Sequence, residues 1–198
     1  MRVFDVSENQ PDDRVQELIA QGADGIIVRI GETSYGVPHI DEKFYDFTEQ
    51  VLEAGIPMGF YYASHARNMD EFVLEARFIN DRMYEVMQGG FPELGLWWDV
   101  EVPAVAREDM WPQLRDAIGT MQSWYADNKE KIGIYTGYSF FNQWIDAEEM
   151  AYYGIPVWIA QYGYHENSLK TEHPELYHVA WQFTTHGETQ DENEWYGF

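Results

Sequence analysis

The stretch "LWWDVEV", residues 96–102, decides how the rest of the chain is read. Its apolar, aromatic and β-branched residues predict a buried strand. Yet it carries two carboxylates, Asp99 and Glu101, one residue apart. Side chains alternate along a strand, so Asp99 and Glu101 share a face with Trp97, while Trp98 and Val100 take the other. Facing a layer of helices, the acids would be buried without partners, which is costly. The cheaper placement points them inward, at the open rim of a barrel.

Working outward from this strand, short apolar runs alternate with amphipathic segments. Upstream, "RVFDV" (Arg2 to Val6), "GIIVRI" (Gly25 to Ile30) and "PMGFYYAS" (Pro57 to Ser64) predict strands. Between them lie helical spacings: Val15, Leu18 and Ile19 behind Pro11; Phe44, Phe47 and Val51, ended by Gly55 and Pro57; and Phe72, Ala76, Ile79, Met83 and Met87, closed by Gly89-Gly90. Downstream, Leu114, Ala117, Ile118, Met121 and Tyr125 mark a fourth helix. "KIGIYTG" (Lys131 to Gly137) is a fifth strand, and Phe140 to Met150 a short fifth helix. Then the helices stop. "PVWIAQYG" (Pro156 to Gly163), "YHVAWQFTT" (Tyr177 to Thr185) and the closing "TQDENEWYGF" read as three strands joined by loops. Five β-then-α units predict parallel strands with helices outside, and eight strands suffice to close a barrel. The fold expected is therefore α/β, an irregular TIM-like (β/α)5(β)3 barrel occupying residues 1–198 as a single domain. An open doubly wound sheet fits less well, because no Gly-rich phosphate loop follows any strand.

Composition bounds the function. Of 198 residues, 12 are Lys or Arg and 35 Asp or Glu, a net charge of −23. A nucleic-acid binder must neutralise phosphates with cations, so nucleic acid is excluded as a partner, and electrostatic attachment to anionic membranes is disfavoured. No apolar run is long enough for membrane insertion, and the start "MRVFDVSENQ" shows no secretory signal. With no cysteine there is no disulfide framework, thiol nucleophile or thiolate metal site. The six histidines lack zinc spacing, and no Asp/Asn loop has calcium spacing, so no metal and no cofactor are expected. Ser64 and Ser139 lack a G-x-S-x-G setting.

In such barrels the active site lies at the carboxyl ends of the strands. Asp5 ends the first strand, at the same level as Asp99 and Glu101. Several carboxylates at one mouth repel each other, so at least one holds its proton near neutral pH. An acid beside an ionised carboxylate is what glycoside hydrolysis needs, and 8 Trp, 14 Tyr and 11 Phe supply flat walls for sugar rings. A D-x-E pair alone is short and common, and a structural or solvated strand end explains it too. Arg29, in an apolar strand, reads as a buried ion-pair partner for a rim acid.

These pieces together resemble glycoside hydrolase family 25, the Chalaropsis-type lysozymes frequent among phage endolysins. "FDVSENQ", "PMGFYYAS", "LWWDVEV", "IGIYTGYSFFNQWI", "VWIAQYG", and "AWQFTT" followed by "DENEWYG" resemble its motifs in the family's order. The resemblance implies a (β/α)5β3 barrel that hydrolyses the β-1,4 bond between N-acetylmuramic acid and N-acetylglucosamine, with peptidoglycan glycan strands as its partner. It implies Glu101 as general acid, Asp99 as its partner carboxylate, and Asp5 and Asp191 as two further acids. Tyr61, Tyr62, Tyr135, Trp158, Gln161 and Trp181 would line the groove. Some members carry His where this chain has Tyr62. The implied route retains configuration, either by direct attack of Asp99 or through the sugar's own acetamide. An enzyme made in the cytoplasm without a signal would reach the wall by holin-type release. Two rivals stay open: a glycan-binding barrel without chemistry, and an N-acetylglucosaminidase on a similar barrel.

Overall fold

A computed structural model describes residues 1–101, 107, 109–185 and 191–198. Val102 of the expected fourth strand, and Thr189 and Gln190 of the expected last one, lie outside the described residues. Nine strands form one sheet: β1 (Arg2–Val6), β2 (Gly25–Ser34), β3 (Val37–Ile40), β4 (Met58–Ala63), β5 (Leu96–Asp99), β6 (Ile132–Gly137), β7 (Pro156–Ala160), β8 (Tyr177–Thr185) and β9 (Asp191–Trp195). Neighbours run β1-β9-β8-β7-β6-β5-β4-β2, and a β1–β2 pairing closes that ring of eight. The barrel is thus the expected one, with strands where the apolar runs put them.

Four features differ from the sequence reading. A five-residue helix, Ser168–Glu172, follows β7 where only a loop is expected. β3 is an extra strand, folded back on the end of β2 as a hairpin outside the ring. Its turn, Tyr35-Gly36, lies at positive φ for both residues, and its alternating exposure gave no apolar run to detect. The short fifth helix is two, α5 (Tyr138–Trp144) and α6 (Ala147–Tyr153). The break falls at Asp146, whose carboxylate accepts from the Glu149 amide at 2.9 Å and caps α6. Finally, β9 is antiparallel to both β8 and β1. The link from β8 is too short for a crossover, and only an antiparallel return is open to it.

The remaining helices are α1 (Arg14–Ala20), α2 (Phe44–Ala54), α3 (Met69–Met87), α4 (Met110–Trp124) and the five-residue α7 (Ser168–Glu172). Each of α1 to α4 buries one apolar stripe. α3 starts where Asn68 accepts from the Glu71 amide at 3.0 Å, with Asp70 and Glu71 in the favourable first turn. It packs Phe72, Ala76, Ile79 and Met83 on the outside of the barrel. Alternation splits the core in two. Phe4, Val28, Phe60, Trp98 and Ile134 face the helices, while Val3, Ile27, Trp97, Trp158, Ala180 and Trp195 fill the interior. Trp97 donates its indole N–H to the Leu94 carbonyl at 2.8 Å. It packs edge-on against Trp195 and Trp158 and stacks on Phe198. Buried side chains therefore fill the interior below the carboxyl-end mouth.

Candidate active site

Asp99 ends β5 on the inner face, with Trp97 beneath it and Trp98 turned to the helices, as the alternation requires. Glu101, two residues on, is exposed at the lip. Asp5 and Asp191 come from the two ends of the chain and are direct register partners on the antiparallel β1–β9 pair. Like charges placed so are destabilising. All four acids line one cavity of about 170 Å³, walled by Tyr61, Tyr135, Tyr162 and Gln182 over Trp158. The sequence-predicted acids are thus brought together.

The cavity shifts Asp5, Asp99 and Glu101 upward. Burial, then the Asp191 charge, push Asp5 up to about 7, against the pull of two amide donors. Asp99 is held well above the usual carboxylate range by burial, with Glu101 and Asp5 adding to it. Its Oδ1 is buried and has no hydrogen-bond partner among the described residues. Glu101 is raised less, by the desolvation it undergoes and by Asp191. Burial also raises Tyr61 and Tyr135, which stay protonated. The mouth therefore carries protons near neutral pH on groups that would otherwise be anions.

Two side-chain amides set the orientation of Asp5. Asn193 Oδ1 accepts from the Trp158 indole at 2.7 Å, and an indole N–H can only donate. Asn193 Nδ2 is thereby turned to Asp5 Oδ2 at 2.9 Å. Gln182 Oε1 accepts from Tyr135 Oη at 2.8 Å and from Tyr162 Oη, which turns its Nε2 to the same Asp5 oxygen at 3.0 Å. Gln182, Asn193 and Tyr162 are site residues that the sequence-derived set lacks. For Gln182 the signal was available: it is the inward neighbour of Trp181.

Tyr61, Tyr135 and Trp158 lie in the wall of this cavity. Trp158 packs against Tyr135 with ring centroids 4.4 Å apart, and meets Tyr61 edge-on at 6.5 Å. Gln161 lines an adjoining pocket with Glu101, Tyr138 and Tyr162, while Tyr62 and Trp181 lie elsewhere. Tyr62 is fully buried on the helix side, against Phe78, with its hydroxyl 3.0 Å from Thr33 Oγ1. Trp181 also faces outward, packs on Phe183 and donates to the Gln161 carbonyl at 3.0 Å. The Gln161 side chain binds Ser168 through both its oxygen and its nitrogen, and so anchors the start of α7. Strand alternation is the reason for Tyr62 and Trp181: of Tyr61-Tyr62 and of Trp181-Gln182, only one member can face inward.

Arg29 is the buried ion-pair residue expected, but its carboxylates are Asp41 at 2.7 Å and Glu8 at 2.9 Å. Its charge still reaches the cavity, drawing Tyr61 and Asp99 downward. Among the described residues no group of three or more His, Asp or Glu is arranged to hold a metal ion. None of the described helices is long and apolar enough to cross a membrane.

The family model of glycosyl hydrolases family 25 matches residues 4–192. No protein with a curated description matches the chain. Among solved structures, the modular autolysin LytC from Streptococcus pneumoniae superposes with a TM-score of 0.75 at 20% identity, covering 98% of this chain and 46% of its own. This chain therefore spans about half the length of LytC, which has also been solved with a synthetic peptidoglycan ligand. A muramidase from Acremonium alcalophilum superposes at 0.76 with 18% identity, covering 100% of this chain and 94% of its own. The bacterial lysozyme from Streptomyces coelicolor gives 0.74 with 21% identity, covering 100% and 92%. At such identities the superpositions speak for the fold.

Proposed function

The chain belongs to glycosyl hydrolases family 25 and is a glycoside hydrolase; from that premise we propose that it is a muramidase, cleaving the β-1,4 bond from N-acetylmuramic acid to N-acetylglucosamine in peptidoglycan. The observation that carries this reading is the meeting of Asp5, Asp99, Glu101 and Asp191 in one aromatic-walled cavity. Relatives that are muramidases or lysozymes, and one solved with a peptidoglycan ligand, support the substrate class.

Glu101 is the general acid, because it alone of the four stands at the exposed lip, where a leaving oxygen can be reached. In the free protein the most tightly held proton is on Asp99, which is the more deeply buried. Sugar binding reverses that order. A ring seated in the cavity desolvates Glu101 and raises it further, so the proton passes from the Asp99 carboxyl to the Glu101 carboxylate and leaves Asp99 ionised. Glu101 then donates to the glycosidic oxygen as Asp99 becomes the counter-charge. Asp99 and Glu101 project from one strand end toward the same side, so they are poorly placed to flank a bond from opposite faces. Attack by the sugar's own 2-acetamido oxygen, with Asp99 or Asp191 stabilising the oxazolinium, suits that placement better than direct attack by Asp99. Both routes retain configuration, and NMR of the first-formed anomer showing inversion would exclude both. A phage endolysin working as a catalytic barrel over residues 1–198, released to the wall by a holin-type helper, is the setting this reading favours.

The test is mass spectrometry of muropeptides released from purified sacculi by the wild type and by Glu101→Gln. New muramic-acid reducing ends are expected from the wild type. Glucosamine ends would make it an N-acetylglucosaminidase, and no release at all a binding barrel. Glu101→Gln should fold normally and lose about 10²-fold or more in rate; near-normal release would remove Glu101 from the acid role.

A further inference from the structure

Behind the wall that carries Asp99 lies a carboxylate with no part in the chemistry above. Glu75, in the middle of α3, is completely buried. Its Oε1 accepts from Thr33 Oγ1 at 2.6 Å, and its Oε2 from Ser64 Oγ at 2.6 Å and Trp98 Nε1 at 3.2 Å. The Thr33 proton is committed to Glu75, so the Tyr62 hydroxyl is the donor in its 3.0 Å contact with Thr33. Thr33 is the penultimate residue of β2, Ser64 follows β4, and Trp98 lies in β5 directly before Asp99. Ser64 also donates its backbone N–H to the Asp99 carbonyl at 2.9 Å.

A buried carboxyl is expensive, and a well-packed apolar residue would stabilise the same space at least as well. What an apolar residue lacks is direction. One carboxylate with three converging donors fixes the relative position of three adjacent strand ends against one helix. We propose that Glu75 is a positioning residue for the acid cluster, tying the carboxyl ends of β2, β4 and β5 to α3 and so fixing the backbone from which Asp99 and Glu101 project. The inference takes from the muramidase reading only what the acids do once positioned.

The test uses Glu75→Gln and Ser64→Ala. Gln turns an amide toward donors, of which the indole cannot reverse its role; Ser64→Ala breaks the same tie without altering any charge and is the milder variant for folding. Carboxyl NMR titration of Asp99, which needs no turnover, is run beside kcat and KM on sacculi and a melting curve. Both variants should lower the Asp99 midpoint by about one unit as its enclosure loosens. They should also lower kcat about tenfold with KM nearly unchanged, since small misplacements of reacting groups are costly. A purely structural Glu75 would lower the melting temperature and leave the Asp99 titration as in the wild type; that result overturns the proposal. Should the wild type release no muropeptides, the muramidase reading falls, and the Asp99 titration still decides the role of Glu75.

Discussion

Replacing Gln182 with Met removes one of the two amide donors on Asp5 while nearly keeping side-chain volume. Asp5 stands at about 7 instead of 3.8 because burial and Asp191 outweigh the Gln182 and Asn193 bonds. A hydrogen bond to a charged group is worth about 1.5–3 kcal/mol, and one pK unit is about 1.36 kcal/mol. Loss of the 3.0 Å bond from Gln182 should therefore raise Asp5 by roughly one to two units. The stability consequence has a definite sign. A carboxyl whose folded pKa is raised holds full stability below its unfolded pKa and loses it as pH rises through the folded value. Wild type and variant both keep Asp5 protonated at pH 5, so titration adds no difference there. Above about pH 9 the variant should be the less stable by a further ~1.4–2.7 kcal/mol. Carboxyl NMR titration gives the midpoint, and urea unfolding at the two pH values gives the stability difference. An Asp5 midpoint that stays at or below the wild-type value would refute the idea that the amide pair holds this carboxyl down.

Three further outcomes are expected. Glu75, like Asp5, is raised to about 7 by burial; by the same sign rule the wild type should melt at a higher temperature at pH 5 than at pH 9, and a melting temperature that rises with pH would contradict both assignments. Gly133→Ala puts a Cβ 2.2 Å from the Pro156 carbonyl oxygen, a backbone atom of the neighbouring strand. It should cost about 2 kcal/mol or more, which a urea midpoint close to wild type would disprove. Trp158→Phe removes the indole that fixes the Asn193 amide, so Asp5 should titrate higher in this variant as well, and an unmoved midpoint would show that Asn193 is held by its other bonds.

Seven of the eight ring strands were legible as short apolar or β-branched runs, which burial on both faces produces; β9, "DENEW", is not such a run. β3 was not legible, since a hairpin outside the ring alternates between exposed and half-buried positions. The four acids were legible from one rule, alternation, together with a family resemblance. That same rule, applied to Tyr61-Tyr62 and Trp181-Gln182, sends Tyr62 and Trp181 outward and brings Gln182 in. What alternation could not supply is the pairing of Asn193 with Trp158 or of Gln182 with Tyr135, because these contacts join strands far apart in sequence. Glu75 gave no signal at all: an acid on a helix is ordinary until the helix is seen to press it against three strand ends.

The closing of the ring by β9 has a consequence for the order in which the molecule is made. Asp191 lies across from Asp5, so the acid cluster joins residues 186 positions apart in the chain. A growing chain cannot hold the finished cluster until β9 has left the ribosome, and contacts of such long sequence separation form slowly. Until then β1 and β8 each present an unpaired edge, the surface most prone to wrong pairing. The strand that completes the mouth thus also times it: before β9 emerges a growing chain carries three of the four acids, and with β9 it carries the set.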